Sequence, residues 1–263
     1  DAFVQYAVNK KFSIGIGQTK LPGNRQRVIS SGDLQLADRS IVNSTFNIDR
    51  DFGVQLYYRE SHYVLRGAIS SGEGRNITKS DNGLAYTVRG ELLPFGQFTN
   101  GGDYFEGDLA RESKPKISTG FTYSLNVNAI RTGGQLGVFL YEPVDMSTTA
   151  ADFLFKHRGW ALSAEYMRRA ASNPNTTDEE TGDVKYVYVG HGQNYQGSYL
   201  FKNNVEVVAR YSTVVPDRAI DTREPIKQQY TVGVSRYIKG HRVKLQSDVS
   251  IEDNYRRGTA THT

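Results

Sequence analysis

The segment 19–50 carries the basic side chains that are best suited to bind a ligand in this chain. Five cations stand there against three carboxylates, which leaves the segment net positive. The cations are Lys20, Arg25, Arg27, Arg39 and Arg50, and the carboxylates are Asp33, Asp38 and Asp49. Because arginine can hold a phosphate or a carboxylate through two parallel N–H bonds, this pattern predicts an anion site. Alternatively, Arg39 and Arg50 pair with Asp38, Asp49 or Asp51 and only pin the segment.

A second set of cations lies on alternating segments, where the parity of each position places the charge opposite an apolar stripe. Its members are Arg66, Arg89, Lys116, Arg210, Arg242 and Lys244, with Glu91, Glu165, Glu206 and Asp248 interleaved. A polar face of this kind either attracts anions or forms cross-strand charge ladders that brace a wall in contact with water. The sequence leaves both interpretations open.

Composition limits the sites and partners that the chain can have. The chain of 263 residues has no cysteine, and its five histidines lack partners at metal-ligand spacing, so we expect no thiolate nucleophile, no metal and no cofactor. The formal net charge of +4 is spread along the chain instead of forming one basic run, which argues against a nucleic-acid partner.

Period-2 alternation predicts that β-strands position these charges. The last two segments, 227–238 and 241–251, are joined by Lys239-Gly240, and each alternates apolar with polar residues. About twelve such strands are predicted, each near the 9–11 residues that a tilted strand needs to cross a bilayer, with no helix longer than a turn. The fold class is therefore all-β and antiparallel.

The predicted connections differ in length between the two ends of the strands. Short turns fall near 9–10, 60–61, 157–159, 202–203 and 239–240, whereas long polar connections fall at 19–50, 73–82, 127–148, 170–187 and 214–226. One connection, 94–114, is long although it lies at the short-turn end. Tight turns at one end and long loops at the other are typical of transmembrane β-barrels of the outer membrane.

Several motifs, in order along the chain, resemble the phosphate-selective porin family, the O and P porins. They are 16–22 (IGQTKLP), 30–33 (SSGD), 38–40 (DRS), 49–56 (DRDFGVQL), 152–159 (DFLFKHRG) and 240–246 (GHRVKLQ). The likeness covers nearly the whole chain and is closer to the branch found in Bacteroidetes-type bacteria than to the well-known phosphate channels.

The resemblance implies a single barrel domain over 1–263, in the outer membrane of a Gram-negative bacterium. The family's barrel has sixteen strands, so we expect about three strands before Asp1 and one after Thr263. The resemblance further implies contact with outer-membrane lipid and lipopolysaccharide, and assembly as a homotrimer or as a subunit of an envelope complex. In the family, a long loop after an early strand folds into the lumen, which makes 19–50 the candidate constriction.

The function expected from this resemblance is passive diffusion of small hydrophilic solutes, with a preference for anions that could include phosphate, and no enzymatic activity. The constriction would be lined by the five cations of 19–50, and the lumen wall by the second set. The alternative is a structural barrel subunit of a larger cell-envelope complex that transports nothing. A soluble β-rich binding protein is a third, more distant interpretation.

Overall fold

The structure, a computed structural model, describes residues 1–76 and 83–256. Thr263 and part of the predicted connection 73–82 lie outside these residues. Twelve strands form one antiparallel sheet in which each strand pairs with its neighbour along the chain. They are β1 (Ala2–Ala7), β2 (Phe12–Lys20), β3 (Arg50–Arg59), β4 (Tyr63–Ser70), β5 (Ala85–Leu92), β6 (Lys116–Arg131), β7 (Phe139–His157), β8 (Trp160–Ala171), β11 (Gly190–Leu200), β12 (Val205–Pro216), β13 (Ile226–Tyr237) and β14 (Lys244–Tyr255). A separate hairpin, β9 (Asn175–Thr177) and β10 (Val184–Tyr186), stands between β8 and β11.

The apolar face of the sheet is exposed and its polar face is buried, which is the reverse of the arrangement in a soluble protein. On β13, Val232 is 62% exposed, whereas its neighbour Thr231 is 2% exposed. On β3, Phe52 is exposed and Gln55 is buried. The apolar face therefore points outward, as a lipid-facing surface must, and the polar face is covered. We call these the outer face and the inner face.

Connection lengths differ between the two ends as predicted. Only two residues, 158–159, separate β7 from β8, whereas 21–49 separates β2 from β3 at the opposite end. The predicted long connection 127–148 is wrong, since β6 and β7 continue into it and leave only 132–138 between them. Register shifts between Asn126 and Arg131 explain the error, because bulges of this kind interrupt the alternation of faces.

Two further boundaries differ from the prediction. The connection predicted over 170–187 contains the β9–β10 hairpin. The last turn is longer than Lys239-Gly240, because Tyr237 pairs with Lys244 and the turn spans 238–243. β14 ends at Tyr255, several residues beyond the predicted end of that strand, because its pairing with β13 continues to Ile226.

Two connections fold over the inner face from opposite ends of the sheet. The first, 21–49, contains two short helices, α1 (Arg25–Val28) and α2 (Ile41–Phe46), and the second is 93–115. The Ser40 side chain caps α2 by accepting a hydrogen bond from the Asn43 backbone N–H.

Small apolar clusters fix both connections to the sheet. Val42 and Phe46 of α2 pack with Met167 and Val214. On the other connection, Leu93 and Phe98 pack with Val64 and Leu154. A third apolar cluster, which includes Ala129, Val144 and Ile220, lies at the long-loop end between β6, β7 and the connections 172–189 and 217–225. The core is therefore divided into patches, and most of the remaining inner face is polar.

Candidate anion-binding site

Four of the five cations predicted in 19–50 lie together at the long-loop end of the sheet. Arg27 Nη2 donates to Asp49 Oδ1, and Arg50 Nη1 lies 3.5 Å from the same oxygen. Lys20 Nζ and Arg39 Nη2 both donate to the Ile29 carbonyl, at 3.3 and 2.9 Å. The connection 21–49 therefore gathers these side chains where it leaves β2 and returns to β3.

Arg75, which the sequence interpretation missed, completes the group. Its Nη2 lies 3.7 Å from Asp49 Oδ2. We call Lys20, Arg27, Arg39, Arg50 and Arg75, with Asp49, the arginine cluster. Arg75 stands in a glycine-rich turn without strand alternation, so no signal in the sequence placed it beside Asp49.

The arginine cluster has more positive than negative charge. Among the described residues, its five cations have only two carboxylates within 4.0 Å, Asp49 and, at 2.6 Å from Arg50 Nε, Asp1. Burial, together with Arg39, Arg50 and Arg75, lowers the pKa of Arg27 to about 10. That value still leaves Arg27 charged at neutral pH, so an anion placed here would relieve like-charge repulsion.

The cluster is accessible to solvent. The side chains of Arg27, Arg50 and Arg75 are 15%, 22% and 47% exposed, while Asp49 is 1% exposed beneath them. Arg39 donates to the carbonyls of Gln26 and Ile29, which anchors its guanidinium without neutralising it. A small anion could therefore approach from the open side and contact several N–H groups at once.

The alternative prediction was that Arg39 and Arg50 pair with Asp38, Asp49 or Asp51 and only pin the segment. The observed contacts agree with it for Arg50 but not for Arg39. Arg50 pairs with Asp49, as expected of a residue that pins the segment. Arg39 bonds to backbone carbonyls instead of to Asp38, Asp49 or Asp51. Asp51 is engaged elsewhere, because it accepts hydrogen bonds from Ser71 and from the backbone of Gly72.

Arg25 lies apart from the other four cations. We expected it to face ions, but its contacts favour a structural role. Its Nε donates to Asp152 Oδ1 at 2.5 Å and its Nη2 to Ser118 Oγ at 2.8 Å. Nη1 donates to the carbonyl of Asp103 at 2.9 Å. Burial disfavours the charged form, but Asp152 and Glu91 outweigh it and raise the pKa of Arg25. Arg25 thus fastens α1 to the inner face.

Arg89 joins Arg25 in a balanced set of charges that we call the wall network, formed by Arg25, Arg89, Glu91 and Asp152. Arg89 Nη1 lies 2.7 Å from Asp152 Oδ2, and its Nε lies 2.7 Å from Glu91 Oε1. No side chain of the four is more than 5% exposed. Two cations and two carboxylates that are buried together neutralise one another, so this network is suited to structure.

The connection 93–115 reaches the same region from the short-turn end. Tyr104 donates its hydroxyl hydrogen to Glu91 Oε1 at 2.7 Å, and Arg59 pairs with Asp103 at 2.9 Å. The backbone N–H of Glu106 donates to the carbonyl of Asp33 at 2.9 Å. The two inner connections therefore touch each other as well as the wall.

The remaining cations of the predicted lumen wall mostly fasten these connections. Three of them donate to backbone carbonyls: Lys116 to Phe95, Arg210 to Asp38 and Lys244 to Leu34. Arg66 lies over the ring of Tyr104, 4.7 Å from its centroid. Arg242 is exposed in the turn 238–243, outside the strands.

Neither a metal site nor a membrane-spanning helix is seen in the part of the chain that the structure describes. No group of three histidine, aspartate or glutamate side chains is arranged there to hold a metal ion. No helix there is both long and apolar enough to cross a bilayer.

A profile of the family described as phosphate-selective porin O and P matches residues 1–263. No curated protein matches the chain by sequence.

Solved structures of outer-membrane β-barrel porins share the fold. Pseudomonas putida OprB, in its high-pH structure, matches with a TM-score of 0.59 and 8% identity, over 95% of this chain and 66% of that one. Acinetobacter baumannii OccAB1 matches with a TM-score of 0.53 and 10% identity, over 96% and 61%. Vibrio cholerae OmpT matches with a TM-score of 0.52 and 9% identity, over 94% and 68%. The chain thus spans less than two thirds of the first two structures.

Proposed function

The chain belongs to the phosphate-selective porin O and P family, located in the Gram-negative outer membrane, and from that premise we propose that the whole protein is a passive channel. It allows small hydrophilic solutes to diffuse through its lumen, favours anions, and catalyses no reaction. We propose that a barrel of sixteen strands, as in the family, encloses the lumen; the residues that the structure describes form twelve strands of one sheet.

The observation that carries the proposal is the placement of unbalanced positive charge on a segment that covers the inner face. The segment 21–49 reaches over strands β5 to β8, as its Arg25 contacts with Asp152 and Ser118 illustrate. The arginine cluster lies at the long-loop end of the sheet, and its arginine side chains are partly exposed. In a water-filled pore, charges at a narrow point decide which ions pass.

The proposed preference for anions includes phosphate. Guanidinium groups bind phosphate through paired N–H bonds, and the arginine cluster offers three arginines around one carboxylate. An anion of higher charge than chloride gains more from such a group. The anion preference therefore extends to phosphate.

Planar-bilayer recording of the full-length protein tests the channel and its selectivity together. We expect discrete conductance steps and, in a KCl gradient, a reversal potential whose sign shows that chloride crosses more readily than potassium. Inorganic phosphate added to the bath should reduce the chloride current.

Each contrary result has a distinct meaning. Absence of conductance steps from correctly folded protein would contradict the channel and favour a structural subunit of an envelope complex. Steps with potassium selectivity would leave the channel intact and contradict the anion preference. If added phosphate left the chloride current unchanged, only the proposed binding of phosphate would be contradicted.

A further inference from the structure

A second set of cations, distinct from the arginine cluster, lines a cleft at the long-loop end. The cleft has a volume of about 450 Å³ and lies between α2, the turn 132–138, the stretch 184–188 and the start of β13. Its charged lining residues are Arg169, Lys185, Lys227 and Glu224. We call it the loop-end cleft.

Arg169 lies at the base of this cleft without a counter-ion. It is 2% exposed, and no carboxylate of the described chain lies within ion-pair distance of it. Its Nε donates to Thr148 Oγ1 at 3.2 Å, its Nη1 to the Thr45 carbonyl at 3.0 Å and its Nη2 to the Asn47 carbonyl at 3.1 Å. A guanidinium has five N–H groups, so two are left for another acceptor.

Tyr188 adds a hydroxyl with no partner. Its Oη is buried and makes no hydrogen bond within the described residues. Burial raises the pKa of Tyr188 above its usual range, so the hydroxyl stays protonated and can donate. A buried donor left unpaired is unfavourable, and a bound acceptor would remove that cost.

The single carboxylate of the cleft is already engaged. Glu224 accepts a hydrogen bond from the hydroxyl of Tyr186 at 2.7 Å, and Lys227 lies 3.2 Å from its other oxygen. With Glu224 neutralised by Lys227, Arg169 and Lys185 leave the cleft positive. Tyr186 and Tyr188 supply aromatic surface beside these charges.

We propose that the loop-end cleft binds a small organic anion that combines one oxyanion group with an aromatic or other cyclic body. The oxyanion accepts hydrogen bonds from Arg169 and from the hydroxyl of Tyr188, and the ring lies against the tyrosines. The cleft opens at the end of the sheet that carries the long connections, where the arginine cluster also lies. This binding does not depend on conduction through the pore.

Calorimetric titration of the full-length protein in detergent micelles tests the site without any transport measurement. The probes are phenyl phosphate and benzoate, which carry a ring and an oxyanion, with inorganic phosphate and phenol as probes that lack one of the two. We expect saturable binding of at least one ring-bearing anion, about tenfold or more tighter than phenol or inorganic phosphate. Tighter binding of phenyl phosphate assigns the oxyanion as phosphate, and tighter binding of benzoate assigns it as carboxylate.

Tyr188→Phe removes only the unpaired hydroxyl and should weaken that binding by about tenfold. Lys227→Gln removes one of the charges and gives a second test that leaves the base of the cleft intact. The matched control is Tyr58→Phe, because the Tyr58 hydroxyl donates to Glu60 at 2.8 Å at the short-turn end and does not line the cleft. Equal affinities for both variants and the control, or no preference for ring-bearing anions, would overturn the proposal.

Discussion

The wall network and the arginine cluster use the same residue types on the inner face, and they differ in balance and exposure. In the wall network two arginines meet two carboxylates, and no side chain is more than 5% exposed. In the arginine cluster three arginines share Asp49, and Arg75 is 47% exposed. Balanced, buried charge holds the connection to the wall, whereas unbalanced, accessible charge is available to ions.

The largest expected effect comes from unbalancing the wall network. Asp152→Asn leaves Arg25 and Arg89 buried with only Glu91 between them, so we expect the free energy of unfolding to fall by about 3–5 kcal/mol. Urea unfolding of the full-length protein in detergent measures this change.

The control for that variant is Asp217→Asn, whose partner Arg168 is 51% exposed. An exposed pair contributes about 1 kcal/mol or less, so the control should unfold nearly as the unaltered protein does. If Asp152→Asn cost no more than Asp217→Asn, the wall network would not be the anchor described here.

The same kind of substitution in the arginine cluster should change selectivity. Asp49→Asn removes the carboxylate that three arginines share, so the cluster becomes more positive. One unit charge near a passing ion is worth about 1 kcal/mol in water, which raises the ratio of chloride to potassium permeability about fivefold. Reversal potentials in a KCl gradient measure the ratio.

Glu179→Gln is the matched control for Asp49→Asn, because it removes the same charge from an exposed position in the connection between β8 and β11. We expect the control to leave the permeability ratio unchanged. An unchanged or lower ratio in Asp49→Asn would mean that the cluster does not face the ion path.

A smaller effect on stability is expected at the contact between 93–115 and the wall network. Tyr104→Phe removes the hydrogen bond to the buried Glu91 carboxylate but leaves that carboxylate paired with Arg89, so a loss of about 1.5 kcal/mol is expected. Urea unfolding should detect this loss, and the permeability ratio should stay as it was. A change in selectivity instead of stability would reverse the roles assigned to the two regions.

Strand alternation made the fold predictable, because a sheet with one lipid face and one covered face must alternate. It identified the outward stripe of β13 and the inward position of Arg89. It failed between β6 and β7, where register shifts beyond Asn126 disrupt the period. The extent of those two strands therefore could not be obtained from the pattern alone.

The separation of Arg25 from Arg27 shows why the site could be predicted only in part. The two residues differ by two positions on α1, and each helical residue turns the side-chain direction by about 100°. Arg25 therefore points at Asp152 while Arg27 points at Asp49. A count of charges cannot distinguish them without the local helix and the wall against which it packs.

The central claim is that the arginine cluster sets the preference for anions. The most direct test is the reversal potential of the full-length double variant Arg27→Gln/Arg39→Gln in a KCl gradient. Arg168→Gln/Arg218→Gln is the control, since it removes the same charge from two exposed positions at the long-loop end. We predict that the chloride-to-potassium permeability ratio falls about fivefold or more in the first variant and is unchanged in the control. Equal ratios in the two double variants would contradict the claim.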